Sequence, residues 1–266
     1  MSAVPPDRLM QGPPRPRRFR RGASILPSLF TTGNLFLGFW AIIKTLDGRY
    51  GEAAPLLGVA IVLDMLDGRI ARLTGTTSEF GGELDSLADA ISFGVAPALL
   101  AYRWALEPLP RVGWLAAFLF VVCGVLRLAR FNVQRHAVDG RFFVGLPIPA
   151  AAGQIAAIVY FAPEAVASRL HCSLALTLVV ILAFLMVSTL RYRSFKGLDL
   201  RQRRSYIIIL PIAVMFVSIA THPAVFLLAL ASLYTVSGPT VYLVGTVRRR
   251  HEPPPAVVTG EAHSSP

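Results

Sequence analysis

Between residues 24 and 246 the sequence is a succession of long apolar runs, near 24–46, 52–73, 82–103, 112–130, 146–163, 172–190, 205–221 and 224–246. A helix needs about 20 mostly apolar residues to cross the hydrocarbon core of a bilayer, and each run lies near that length. Of the 266 residues, 54% are hydrophobic and 15% are charged, where a soluble domain carries about 45–50% apolar and about 25% charged residues. The expected fold class is therefore all-α: a polytopic membrane helix bundle of about eight transmembrane helices. The last two runs are parted only by Thr221-His222-Pro223, which suits a tight hairpin outside the bilayer.

The ends differ from the middle. Residues 1–23 hold five prolines among basic residues, and residues 248–266 are again rich in proline. Such segments bury too little apolar surface to offset ordering, so both are expected to be disordered tails around a membrane domain at 24–247. The net charge of +11 suits either nucleic-acid binding or the basic loops of a membrane protein. Its distribution decides. With eight spans, 21 of the 26 Lys and Arg residues fall on the side of the termini and 5 on the other. By the positive-inside rule the termini lie in the cytoplasm, and the basic balance needs no nucleic acid. Some of this charge faces anionic headgroups. Cys123 and Cys172 lie in or beside apolar runs without metal-type spacing and read as small buried residues.

Six of the 15 acidic residues crowd between Asp64 and Asp89. Carboxylates at the edge of or inside membrane helices are costly and mark function. Asp64 and Asp67 stand at i, i+3 at the end of the second span, and Asp85 and Asp89 at i, i+4 at the start of the third. Each pair shares a helix face, and the loop from Leu73 to Gly82 lets the two helices return antiparallel, so four carboxylates converge. Hard divalent cations relieve that repulsion through oxygen ligands. With His and Cys absent from this window, Mg²⁺ or Mn²⁺ is favoured over Zn²⁺. Gly68, Ala71, Gly81 and Gly82 allow close approach to a ligand, and Arg72 offers a planar fork to a phosphate. Together they describe a diphosphate site.

The string Asp64-x2-Asp67-Gly68-x2-Ala71-Arg72-x8-Gly81-x3-Asp85-x3-Asp89 matches the signature of the CDP-alcohol phosphotransferases at every fixed position. The segments LARFNV (128–133), GLPIPAAA (145–152) and STLRYRSFK (188–196) resemble the phosphatidylserine synthase branch. The resemblance runs from about Leu26 to Phe195. It implies transfer of a phosphatidyl group from CDP-diacylglycerol to L-serine with release of CMP. It implies two divalent cations on Asp64, Asp67, Asp85 and Asp89, with Asp89 also the general base. Gly68, Ala71, Arg72, Ser78 and Gly81 resemble the CDP cradle. A homodimer is expected by the same resemblance; the motif's place between the second and third spans puts the active site on the cytoplasmic side, and a bacterial inner membrane is expected.

Arg127, Arg130 and Asn132 close the fourth span. They suit an acceptor carboxylate or a lipid phosphate, or simply positive-inside charge. Asn34, in the first span, joins helices through its amide or supports the site. Two other functions compete: the same transfer to another alcohol, such as glycerol 3-phosphate or inositol phosphate, and cation-coupled transport through membrane carboxylates. Transport predicts internal repeats, and none is seen in the sequence.

Overall fold

The computed structural model of the chain describes residues 25–74, 79–134, 142–193, 213, 215 and 217–251. Seven helices dominate them. Helix α1 spans Ile25–Leu46 and α2 spans Tyr50–Thr74. Helix α3 runs from Glu79 to Leu106, with π-helical turns over Ala90–Val95 and Tyr102–Leu106. Helices α4 (Val112–Gln134), α5 (Ile148–Phe161), α6 (Arg169–Val187) and α7 (Pro223–His251) follow. The fold class is the all-α membrane bundle expected. Seven of the eight expected spans coincide with these helices, and the one at 205–221 lies mostly outside the described residues, as does the tail at 1–23. Helix α7 continues through His251.

Apolar residues are distributed as a bilayer requires. Large side chains such as Phe36, Phe39, Trp40, Phe118, Leu126, Phe184 and Leu233 face outward, while the interior is rich in alanine: Ala41, Ala53, Ala54, Ala60, Ala105, Ala151, Ala152 and Ala183 are buried. Between membrane helices close backbone approach and van der Waals contact replace the hydrophobic drive, so small residues belong inside. Helices α1 and α2, joined by a short turn at Gly48, form the most extensive pair, and α4 packs on α6 and α2 on α5.

Helix α5 has only 14 residues, shorter than its expected span. Pro147 precedes it and Pro149 lies in its first turn, where the missing N–H has no helical partner to lose, as read from the sequence. The chain before it forms a two-stranded antiparallel ribbon that the hydropathy pattern did not announce. Strand β1 (Phe142–Val144) pairs with β2 (Arg191–Arg193), with Phe143 opposite Tyr192. Gly145 then turns at φ +82°, and a Cβ there would lie 2.3 Å from the Met186 carbonyl oxygen, so only glycine fits.

The ribbon holds α7. The buried Tyr192 ring sits over Gly238, 5.8 Å from the Tyr234 ring centroid, and its hydroxyl donates to the Thr235 carbonyl (3.3 Å). Gln154 of α5 donates to Ser232 (3.2 Å) and accepts from Thr235 (3.3 Å). Helix α7 packs on α5, and these polar joints anchor a helix whose other faces carry exposed apolar side chains such as Val225, Leu230 and Leu233. At the end of the bundle away from the acidic residues, Lys44 pairs with Glu52 (2.9 Å), Arg49 also pairs with Glu52, and Arg103 pairs with Glu107 (2.7 Å).

Candidate active site

The chain descends α2 and returns along α3, so the second half of α2 faces the first half of α3. This brings the carboxylates of Asp64, Asp85 and Asp89 together, one ligand oxygen from each lying within 4.8 Å of the others. Oxygens that share one divalent ion at about 2.1 Å lie at most about 4.2 Å apart, so the three acids need to close by only a few tenths of an ångström to hold a hard cation. The donors are all oxygen, which suits Mg²⁺ or Mn²⁺.

Asp67, expected beside them, is outside that group of three. It is buried, and its Oδ2 accepts a hydrogen bond from Thr31 Oγ1 of α1 at 2.5 Å. One turn along α1, Asn34 Nδ2 donates to Asp89 Oδ1 at 3.3 Å. Asn34 therefore does both things the sequence allowed: it joins helices and it touches the site. No signal in the sequence singles out Thr31, which reads as an ordinary hydroxyl in an apolar run.

Asp89 is the last residue before the first π-helical segment of α3. Such segments are rare and frequent at functional sites. Here the wider turn presents Ser92 to α1, where its Oγ donates to the Asn34 carbonyl (3.0 Å).

Helix α4 supplies the cationic wall. Arg127 faces Asp64 and Asp89, with Tyr234 of α7 also near, and its guanidinium carbon lies 5.5 Å from the Phe131 ring centroid. Arg130 points elsewhere, donating to the Val187 carbonyl at the end of α6 (3.5 Å), a long bond that suits a cation at a helix C-terminus. Asn132 Nδ2 donates to Ser86 Oγ (2.9 Å). Of the three side chains expected at the acceptor, only Arg127 faces the carboxylates. Gly68 lies on α2 one residue beyond Asp67, and Gly81 lies in the first turn of α3 rather than in a loop. Ala71 and Arg72 occupy the last turn of α2, with side chains outside the described residues, and Ser78 lies outside them altogether.

Residues 24–190 match the CDP-alcohol phosphatidyltransferase family. The chain belongs to that family. Over 219 residues it is 38% identical to a Helicobacter pylori protein named CDP-diacylglycerol–serine O-phosphatidyltransferase, covering 80% of this chain and 89% of the relative. A Mycobacterium leprae protein of the same name is 46% identical over 144 residues, 52% of this chain and 48% of the relative. A protein of Methanothermobacter thermautotrophicus named archaetidylserine synthase is 38% identical over 175 residues, 65% of this chain and 71% of the relative. The family match covers all four signature aspartates and the three residues closing α4. Helix α7, with Tyr234, lies beyond it.

Proposed function

We propose that this enzyme transfers the phosphatidyl group of CDP-diacylglycerol to the hydroxyl of L-serine, giving phosphatidylserine and CMP. The observation that carries the reading is the convergence of Asp64, Asp85 and Asp89 within 4.8 Å in a chain of this family. The acceptor follows from relatives that share serine in their names while their lipids differ.

The signature aspartates hold two divalent cations, Asp64, Asp85 and Asp89 as one cluster and Asp67 beside it. When bound, such cations neutralise the diphosphate and the charge developing on the leaving CMP. Asp89 takes the proton from the serine hydroxyl, within hydrogen-bond reach as a general base must be. The serine oxygen attacks the phosphorus that bears diacylglycerol. The bond from that phosphorus to the bridging oxygen breaks, and its electron pair leaves with CMP. Gly68, Ala71, Arg72, Ser78 and Gly81 cradle the CDP group, and Arg127 holds an anionic group of the acceptor or lipid against the carboxylates. Water-soluble serine and CMP must meet a lipid, so the site opens at an interface. The positive-inside distribution of Lys and Arg supports an interface and termini in the cytoplasm, and we read the enzyme as a homodimer in a bacterial inner membrane.

The deciding experiment is CMP release from CDP-diacylglycerol by purified protein with Mn²⁺ or Mg²⁺, comparing L-serine, glycerol 3-phosphate, inositol phosphate and no acceptor. Release that depends on serine is expected. Release with another acceptor only would keep the mechanism and overturn the acceptor, and no release from folded protein would return cation transport to consideration.

A further inference from the structure

Helix α1 backs the site with two polar side chains one turn apart. Thr31 reaches Asp67 of α2, and Asn34 reaches Asp89 of α3. Residues three apart share a helix face, so one face of α1 grips one aspartate from each of the two signature helices. Asn34 is itself firmly held. It is 1% exposed, and its backbone carbonyl accepts from Ser92. One turn further, Gly38 lets α1 approach α3 so closely that a Cβ there would lie 2.6 Å from Ser92 Cα.

The amide is only half used. Asn34 Oδ1 is buried with no hydrogen-bond partner, one of two such side-chain atoms among the described residues. A buried acceptor left without a donor is costly, and a residue kept only to join helices has no need of it. This orphan oxygen belongs to the same amide that holds Asp89.

We infer that Asn34 is a positioning residue for Asp89: its Nδ2–H engages one carboxylate oxygen and leaves the other to the reacting groups, while its Oδ1 accepts a hydrogen bond from an O–H or N–H donor that arrives with the bound substrates. The inference rests on the reading of Asp89 as the base. It separates two kinds of contact between α1 and α3. The Ser92 bond joins the helices, and the Asn34 side chain sets the chemistry.

The test compares Asn34→Ala, Asn34→Asp, Ser92→Ala and Asp89→Asn in lipid nanodiscs. Turnover, KM for each substrate, Mn²⁺ binding without substrate and thermal unfolding are measured for each. Small misplacement of a reacting group costs about 100-fold in rate, so Asn34→Ala should lose about that much kcat while its KM for CDP-diacylglycerol stays within about 3-fold. Ser92→Ala should keep most of its kcat. Asn34→Asp has the same size but adds a carboxylate, so it should bind Mn²⁺ more tightly and still turn over slowly. Equal loss of kcat in Ser92→Ala and Asn34→Ala would make Asn34 a helix joint and overturn the inference, as would normal turnover by Asn34→Ala. If Asn34→Ala does not fold, normal turnover by Asn34→Asp overturns it instead. An active Asp89→Asn enzyme would remove the base and this inference together. An inactive Asp89→Asn beside an active Asn34→Ala would remove this inference alone.

Discussion

Asn132 Nδ2 and Ser86 Oγ lie 2.9 Å apart, joining the C-terminal end of α4 to the residue that follows Asp85. Ser86 in turn donates to the Gly82 carbonyl one turn back (3.0 Å). The pair stiffens the part of α3 that presents Asp85 to the cluster. Its removal should loosen that carboxylate without touching substrate. Asn132→Ala is expected to lower kcat about 10-fold, equivalent to about 1.4 kcal/mol. Ser86→Ala should do the same, and the double variant should lose little more than either, since the two act through one bond. Fully additive losses in kcat would show that Asn132 acts through another partner.

The carboxylate cluster makes a prediction about stability. Two ionised carboxylates about 4.8 Å apart repel by about 3 kcal/mol at an effective dielectric constant of about 20, and three of them compound the effect. In chelator, Asp64→Asn protein should therefore unfold at a higher temperature than the wild type. Saturating Mn²⁺ should reverse the order, because a ligand at 100 times its Kd stabilises by about 2.7 kcal/mol and the variant has lost one of its oxygens. Thermal unfolding of both proteins with and without metal checks this, and a wild type indifferent to divalent cations would contradict it.

Arg127 and Arg130 are one turn apart on α4, yet they face different groups. Arg127 looks at Asp64 and Asp89, and Arg130 at the end of α6. Arg127→Gln is expected to reduce kcat/KM about 100-fold, as loss of a charge-assisted contact in a site does, with Arg127→Lys restoring part of it. Arg130→Gln should change turnover by no more than about 3-fold. Steady-state kinetics on the three variants tests the division, and equal effects at both positions would reduce Arg127 to ordinary loop charge.

Gly38 and Gly58 look alike in the sequence, each inside an apolar helix. A Cβ at Gly38 would lie 2.3 Å from Ser92 Oγ, whereas one at Gly58 meets nothing within 4 Å. Gly38→Ala should force α1 away from α3 and destabilise by about 1–3 kcal/mol, with loss of activity. Gly58→Ala should be neutral or stabilising by up to about 1 kcal/mol through helix propensity. Unfolding temperatures in a fixed detergent give the comparison.

Seven of the eight spans were legible because the bilayer imposes its thickness on every helix that crosses it, a constraint that acts on local sequence alone. The aspartate ladder was legible for a similar reason. Helix periodicity puts 64 with 67 and 85 with 89, and a short connection brings the two faces together. The ribbon of Phe142–Val144 with Arg191–Arg193 was not, since its strands are three residues long and far apart in the chain, with no local alternation to announce them. The site partners across helices were equally hidden. Nothing in TTGNLFLG distinguishes a threonine that meets an aspartate from one that meets its own backbone.

By itself, then, the sequence determined that the protein is a membrane bundle and that acids of two helices meet, three of the expected four in one cluster, because apolar length and helical period are properties of neighbouring residues. It also carried the family signature complete. Only the tertiary structure decided how those acids are used. It turned Asp67 to Thr31 and left Asp64, Asp85 and Asp89 as the cluster. It aimed Arg127 at the carboxylates and Arg130 away from them, and it set Asn34 against Asp89. Those outcomes depend on which face of one helix meets which face of another, and that is settled by glycine-sized gaps such as the one at Gly38, whose neighbours lie more than 50 residues away in the chain.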